Sequence, residues 1–202
     1  MSTYYNFYTE AKIGDVWHCI DPKVLRLGSS GDPYKLTHTY WSGSRSYFGE
    51  AHDKLMDISS KIRFDDTSSE FRTTKTMDWR GSGEELAPYY DSILRVMPYW
   101  RLSELNDRAK KPEYCGLYKN SDIELYESDE LEDLFEREIS PEAYSKLVDD
   151  ARRIYRYYEW NYATSWRRQI PRLFERVVDR IREFENTNYI DCDEVRILMY
   201  LD

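Results

Sequence analysis

This chain has little of the chemistry by which enzymes are usually recognised. It has three cysteines and three histidines in 202 residues. Cys19, Cys115 and Cys192 are odd in number, far apart and without a CxxC pair, which argues against a disulfide scaffold and fits a reducing compartment. With His18, His38 and His52 they lack the close paired spacings of zinc ligands, so no metal site is expected. No nucleophile elbow or oxyanion signature surrounds them either. GxGxxG, Walker, HExxH and GxSxG motifs are all absent, and no cofactor is expected. No apolar window approaches the length of a membrane span, and the first residues, Met-Ser-Thr-Tyr-Tyr-Asn, lack a basic start and an apolar run. The expectation is a cytoplasmic protein without a membrane partner. A net charge of −9 disfavours a general nucleic-acid coat, which would be basic.

What the chain does have is tyrosine, 19 of them, within an aromatic fraction of 16%. A tyrosine has an apolar body and a polar tip, so these residues can fill the rims of a core or form rigid contact surface. Charge is unevenly distributed. Residues 121–150 hold Asp122, Glu124, Glu127, Asp129, Glu130, Glu132, Asp133, Glu136, Glu138, Glu142, Asp149 and Asp150 against Arg137 and Lys146. Arginines dominate from Arg152 onward. The two segments can neutralise each other within the fold. Alternatively, Asp129, Glu130, Glu132 and Asp133 form a protein-binding face, since clustered carboxylates suit a basic surface on a partner.

The arginine-rich stretch supports a second reading. Arg152, Tyr155, Arg156, Trp160 and Arg168 lie in a block, 152–180, that interleaves guanidinium forks with flat rings. That combination suits a nucleotide or phosphate ligand. Arg152 and Arg156 are expected on one helical face, as are Arg168, Arg172, Arg176 and Arg180.

Strand signals sit near both ends. Residues 4–12 alternate aromatic and polar side chains, turn at Gly14-Asp15 and continue through Val16 to Ile20, while 195–201 is a dense apolar run. The spacing predicts that this run pairs with the N-terminal hairpin, with 36–41 as a third strand. After a Gly-Ser loop at 28–33, helices are predicted over 46–62, 84–97 (capped by Ser82), 141–163 and 165–185, with Pro171 kinking the last or marking its first turn. Residues 65–76 read as a mobile loop, 100–106 as a turn and short helix, 114–127 as a hairpin and 128–137 as an acidic helix. The expected fold is a single α+β domain over 1–202. A small antiparallel sheet is covered on one side by helices, and a helical insertion, roughly 46–185, separates the strands at the two ends.

Three elements resemble uncharacterised accessory proteins encoded by tailed phages and prophages. They are Ile13-Gly14-Asp15-Val16-Trp17 in the hairpin, the central Trp100-Arg101-Leu102-Ser103-Glu104-Leu105, and the final strand from Glu194-Val195-Arg196-Ile197. The resemblance implies a phage or prophage origin, an α+β fold and residence in the cytoplasm of a bacterial host. It favours a non-enzymatic protein that binds a host macromolecule, such as a bacterial defence component that it inhibits. A nucleotide-binding or nucleotide-degrading protein is the alternative.

Overall fold

The alternation at the front of the chain becomes a long strand, β1 (Thr3–Ile13), which turns back into β2 (Val16–Cys19). Gly14 takes φ +59° at that turn, a conformation that costs a glycine little. The computed structural model describes residues 3–25, 34–36, 39–43 and 45–201. The predicted loop at 28–33 lies outside them.

After the hairpin come β3 (Lys23–Leu25), β4 (Tyr34–Leu36), β5 (Thr39–Gly43) and α1 (Arg45–Ile58). The middle of the chain continues with β6 (Ser60–Lys61), α2 (Ser69–Asp78), α3 (Gly83–Ile93), β7 (Arg95–Pro98) and α4 (Tyr99–Ala109). Then follow β8 (Tyr114–Lys119), α5 (Asn120–Glu127), α6 (Pro141–Ser145), α7 (Asp149–Arg152), β9 (Tyr155–Trp160), α8 (Trp166–Asn188) and β10 (Glu194–Leu201).

The fold is α+β. Its main sheet is antiparallel, ordered β2-β1-β10-β7-β6, with β5 also pairing β1. β10 pairs β1 in eight consecutive positions, from Tyr5 opposite Leu201 to Lys12 opposite Glu194. The predicted partnership of the apolar run with the hairpin is therefore present, but the sheet also recruits β6 and β7 from the middle of the chain.

Helices cover both faces, not one. Strand side chains alternate, so Tyr5, Phe7, Met97, Ile197 and Met199 pack with Leu55 of α1, Leu102 and Leu105 of α4, and Ile170 and Leu173 of α8. On the opposite face Tyr8, Leu198 and Tyr200 meet Phe71 of α2 and Leu86 and Tyr90 of α3.

Several segments differ from their sequence expectation: 114–127 is β8 followed by α5 instead of a hairpin, and the helix expected over 84–97 ends at Ile93 and gives way to β7. Residues 65–76 hold the end of a 3-10 turn and most of α2, whose cap Ser68 accepts the Phe71 N–H. The polar composition hid two anchors. Phe71 is fully buried, and buried Lys75 donates to the Tyr8 and Tyr200 hydroxyls at 2.6 and 2.5 Å. The helix predicted over 141–163 is instead α6, α7 and β9, and β9 pairs β8 with Tyr114 opposite Trp160. These strands and α5 enclose a third core of Tyr118, Ile123, Tyr126, Leu134 and Trp160, forming a separate lobe. The segment 128–137 is turn and loop with a 3-10 turn at Phe135–Arg137. Pro171 lies in the second turn of α8, where it donates no helical N–H.

Ile197, Leu198 and Met199 are fully buried. Each contributes roughly 1.5–3 kcal/mol, a large part of a typical stability of about 5–15 kcal/mol. Deleting 194–201 is therefore expected to abolish cooperative unfolding in a thermal melt. A deletion that still melts cooperatively at the wild-type temperature would show that the sheet does not depend on β10.

Candidate functional site

The lobe carries the acidic segment, and internal pairing removes part of that charge. Asp129 occupies a left-handed turn (φ 64°) just after α5, which brings its carboxylate to the first turns of α8. There it pairs with Arg168 and with Arg172, the latter at 2.6 Å. These arginines are four residues apart and so share a helix face. The Arg168 guanidinium also lies 4.8 Å from the Tyr126 ring centroid, and its side chain is only 17% exposed. Asp122 pairs with Arg137 at 3.4 Å, Asp149 with Arg152 at 3.5 Å and Asp150 with Arg153 at 3.4 Å.

Glu130, Glu132, Asp133 and Glu136 have no ion-pair partner among the described residues. Asp133 only accepts the Phe135 N–H at 3.1 Å. Glu132, Asp133 and Glu136 line a notch of about 390 Å³ together with Leu131, Phe135 and Arg137. Phe135 is held edge-on against Tyr114 and Trp160, each centroid 4.8 Å away, yet remains 47% exposed. The notch thus offers carboxylates around a fixed aromatic ring. A flat or compact cation fits that chemistry. Of the four residues expected to form an acidic face, three are available and one, Asp129, is an internal clamp.

The arginine-aromatic block does not converge on one site. Arg152 and Arg156 do not share a helical face, because α7 ends at Arg152 and Arg156 belongs to β9. Arg152 donates to the Ser145 carbonyl at 2.6 Å and lies over Tyr144, whose ring meets Tyr155 edge-on. Arg156 lies over Tyr158. Trp160 is buried and donates to the Tyr118 hydroxyl at 2.9 Å. Of the five residues singled out from the sequence, only Trp160 and Arg168 line a common cleft, of about 440 Å³, between the lobe and α8, where Tyr158, Arg167 and Arg172 of the same block join them.

A second polar cluster lies at the far edge of the main sheet. His18 Nδ1 is 3.0 Å from Glu70 Oε1 at the start of α2. Asp21, whose side chain is 1% exposed, accepts the Thr9 N–H at 2.6 Å and the Cys19 thiol at 3.5 Å, with Arg180 Nε 3.9 Å away. Burial pushes the Asp21 carboxyl up to about 7, outweighing these hydrogen bonds and Arg180. Burial also pushes up the Cys19 thiol, which opposes thiolate chemistry. Among the described residues no group of three or more His, Cys, Asp and Glu can hold a metal ion. No helix among the described residues is long and apolar enough to cross a membrane. Sequence reasoning passed over Asp21 because nothing in an Ile-Asp-Pro step shows that the carboxylate folds inward beneath α8. No protein family model, curated protein or solved structure matches the chain.

Two outcomes follow from these contacts. Asp129→Ala strips a carboxylate from the largely buried Arg168 and should cost about 1–3 kcal/mol, lowering the melting temperature. Glu132→Ala should leave the melt unchanged. Equal effects would show that Asp129 is not a clamp. For Asp21, the folded state keeps a proton that the unfolded state releases near 4, so stability falls as pH rises from about 4 to about 7 and then levels. Relative to Asp21→Asn, the wild type should lose up to roughly 4 kcal/mol over that window in urea titrations. A difference independent of pH would mean that Asp21 is ionised in the fold throughout.

Proposed function

We propose that this protein is a non-enzymatic binding protein that takes a basic segment of a host macromolecule on the acidic notch of its lobe. The observation that carries this reading is the division of the acidic segment. Asp122, Asp129, Asp149 and Asp150 are neutralised internally, whereas Glu130, Glu132, Asp133 and Glu136 have no ion-pair partner among the described residues. The last three line the notch with the half-exposed Phe135, and Arg137 of the same notch is engaged by Asp122. Unpaired surface carboxylates contribute little to folding, but they steer a basic partner and select its orientation. The aromatic ring supplies a desolvated anchor of the kind that concentrates binding energy. The resemblance of the chain's ends to phage and prophage accessory proteins supports a partner from a bacterial host. A defence component with a basic surface, inhibited when that surface is covered, is the target class this combination favours.

A nucleotide-binding reading has one observation behind it. In the cleft beside Trp160, the Arg168 Nη1 and Asn161 Oδ1 atoms are buried without a hydrogen-bond partner among the described residues. A thermal-shift screen with nucleotides and cyclic dinucleotides addresses it, because a ligand of the folded state raises the melting temperature.

The decisive experiment is affinity capture from bacterial lysate with wild type and with the triple variant Glu130→Lys, Glu132→Lys, Asp133→Lys. The variant should melt as the wild type does and lose the captured protein, and wild-type capture should weaken between 50 and 300 mM salt as screening rises. Capture that is indifferent to salt and to the triple reversal would overturn the acidic notch as the binding surface.

A further inference from the structure

We propose that the cavity at the β2 edge of the main sheet is a second binding site, which takes a small organic cation: a primary ammonium or guanidinium on a short apolar body. The cavity measures about 370 Å³ and lies between β2 and the residues after it, the first turn of α2 and the last turns of α8. Ile13, Ile20, Pro22 and Phe184 give it an apolar wall. Its polar groups are mostly anionic or electron-rich. Asp21, Glu70 and Glu183 contribute three carboxylates. The C-terminal end of α8 reaches the cavity through Thr187 and Asn188. The carbonyls of Asn186, Thr187 and Asn188 accept no hydrogen bond among the described residues, and together they form the negative end of a 23-residue helix.

The fixed cations nearby are Lys23 and Arg180. Arg180 is engaged by Glu183 at 3.0 Å and stands 3.9 Å from Asp21, too far for a hydrogen bond. The second Asp21 oxygen, Oδ1, accepts no hydrogen bond among the described residues, while Oδ2 takes both the Thr9 N–H and the Cys19 thiol. An anion placed here would meet three carboxylates and a helix C-terminus. A cation would complete a buried carboxylate that the fold leaves half-satisfied.

The occupant should also change the protonation of the site. Asp21 faces Glu10 and Tyr8 from β1, Cys19 from β2 and Arg180 from α8, and His18, Lys23, Glu70 and Glu183 stand around the same cavity. With Asp21 half-protonated near 7, a cation binds the ionised form and displaces the proton. Affinity should therefore rise with pH.

The test uses phenethylammonium as probe, with phenethyl alcohol and 3-phenylpropanoate as neutral and anionic counterparts, followed by NMR shifts and calorimetry on the full chain. The ammonium should shift resonances of Phe184 and Thr187 and bind about tenfold more tightly at pH 8 than at pH 6, with proton release. Asp21→Asn should weaken binding and flatten its pH dependence. Glu183→Gln, a change at an exposed position, should weaken binding severalfold without altering the melt. Equal binding of the alcohol, tighter binding of the propanoate, or a pH dependence that survives Asp21→Asn would each overturn the proposal.

Discussion

The eight-position ladder between β1 and β10 is the constraint from which the rest of the architecture follows. It joins residues nearly the whole chain apart, so everything between Cys19 and Glu194 must be laid around a sheet that closes last in sequence. Such non-local pairing is entropically slow to form, and it needs specific features to fix its register. One is the ion pair of buried Glu10 and partly buried Arg196, opposite each other on the two strands and bonded at 2.7 Å. Glu10 also accepts the Ser68 N–H at the cap of α2, and Arg196 donates to the Asp66 carbonyl and lies over Trp17. A one-residue slip of β10 would turn Arg196 to the other face and leave Glu10 buried without its cation. The ion pair thus specifies the register that the apolar residues then stabilise.

The same ladder explains why the interior of the sheet admits a lysine. Lys75 enters from α2 between the phenols of Tyr8 and Tyr200, residues of the two central strands, and its ammonium lies 4.6 and 4.7 Å from their ring centroids. A cation so placed is stabilised by hydroxyl oxygens and ring faces together. It also ties α2 to the ladder. The helix is therefore a fixed element of the core, and its first turn can present Glu70 to His18 at the sheet edge.

Legibility in the sequence followed the range of the interactions. The α+β class, the pairing of the final apolar run with the hairpin, the Ser82 cap of α3 and the apolar stripe of α8 were readable because alternation, capping and helical periodicity are local signals. Residues 141–163 suggest one helix because Tyr144, Leu147, Ala151, Ile154 and Tyr158 fall at helical spacing, while their organisation depends on pairing of Tyr155–Trp160 with β8, a non-local partner. In 65–76 the polar composition suggests a loop, whereas Lys75 is buried in the core. Composition showed the acidic segment, but only the left-handed turn at Asp129 shows which of its carboxylates is already engaged.

Helix α8 relates the two polar regions. The row Arg168, Arg172, Arg176 and Arg180, at steps of four, winds gradually around the helix, with its first two members on Asp129 of the lobe and its last beside Asp21 at the sheet edge. From Arg168 to Arg180 the axial rise is about 18 Å. That is roughly twice the screening length at physiological ionic strength, so charges at one end act only weakly through solvent on the other. Coupling between the regions, if it exists, must pass through movement of α8 itself. The helix is held against that by Ile170, Leu173 and Val177, all packed in the main core between the two ends. A change of charge on the lobe is therefore a local perturbation, and so is ionisation of Asp21.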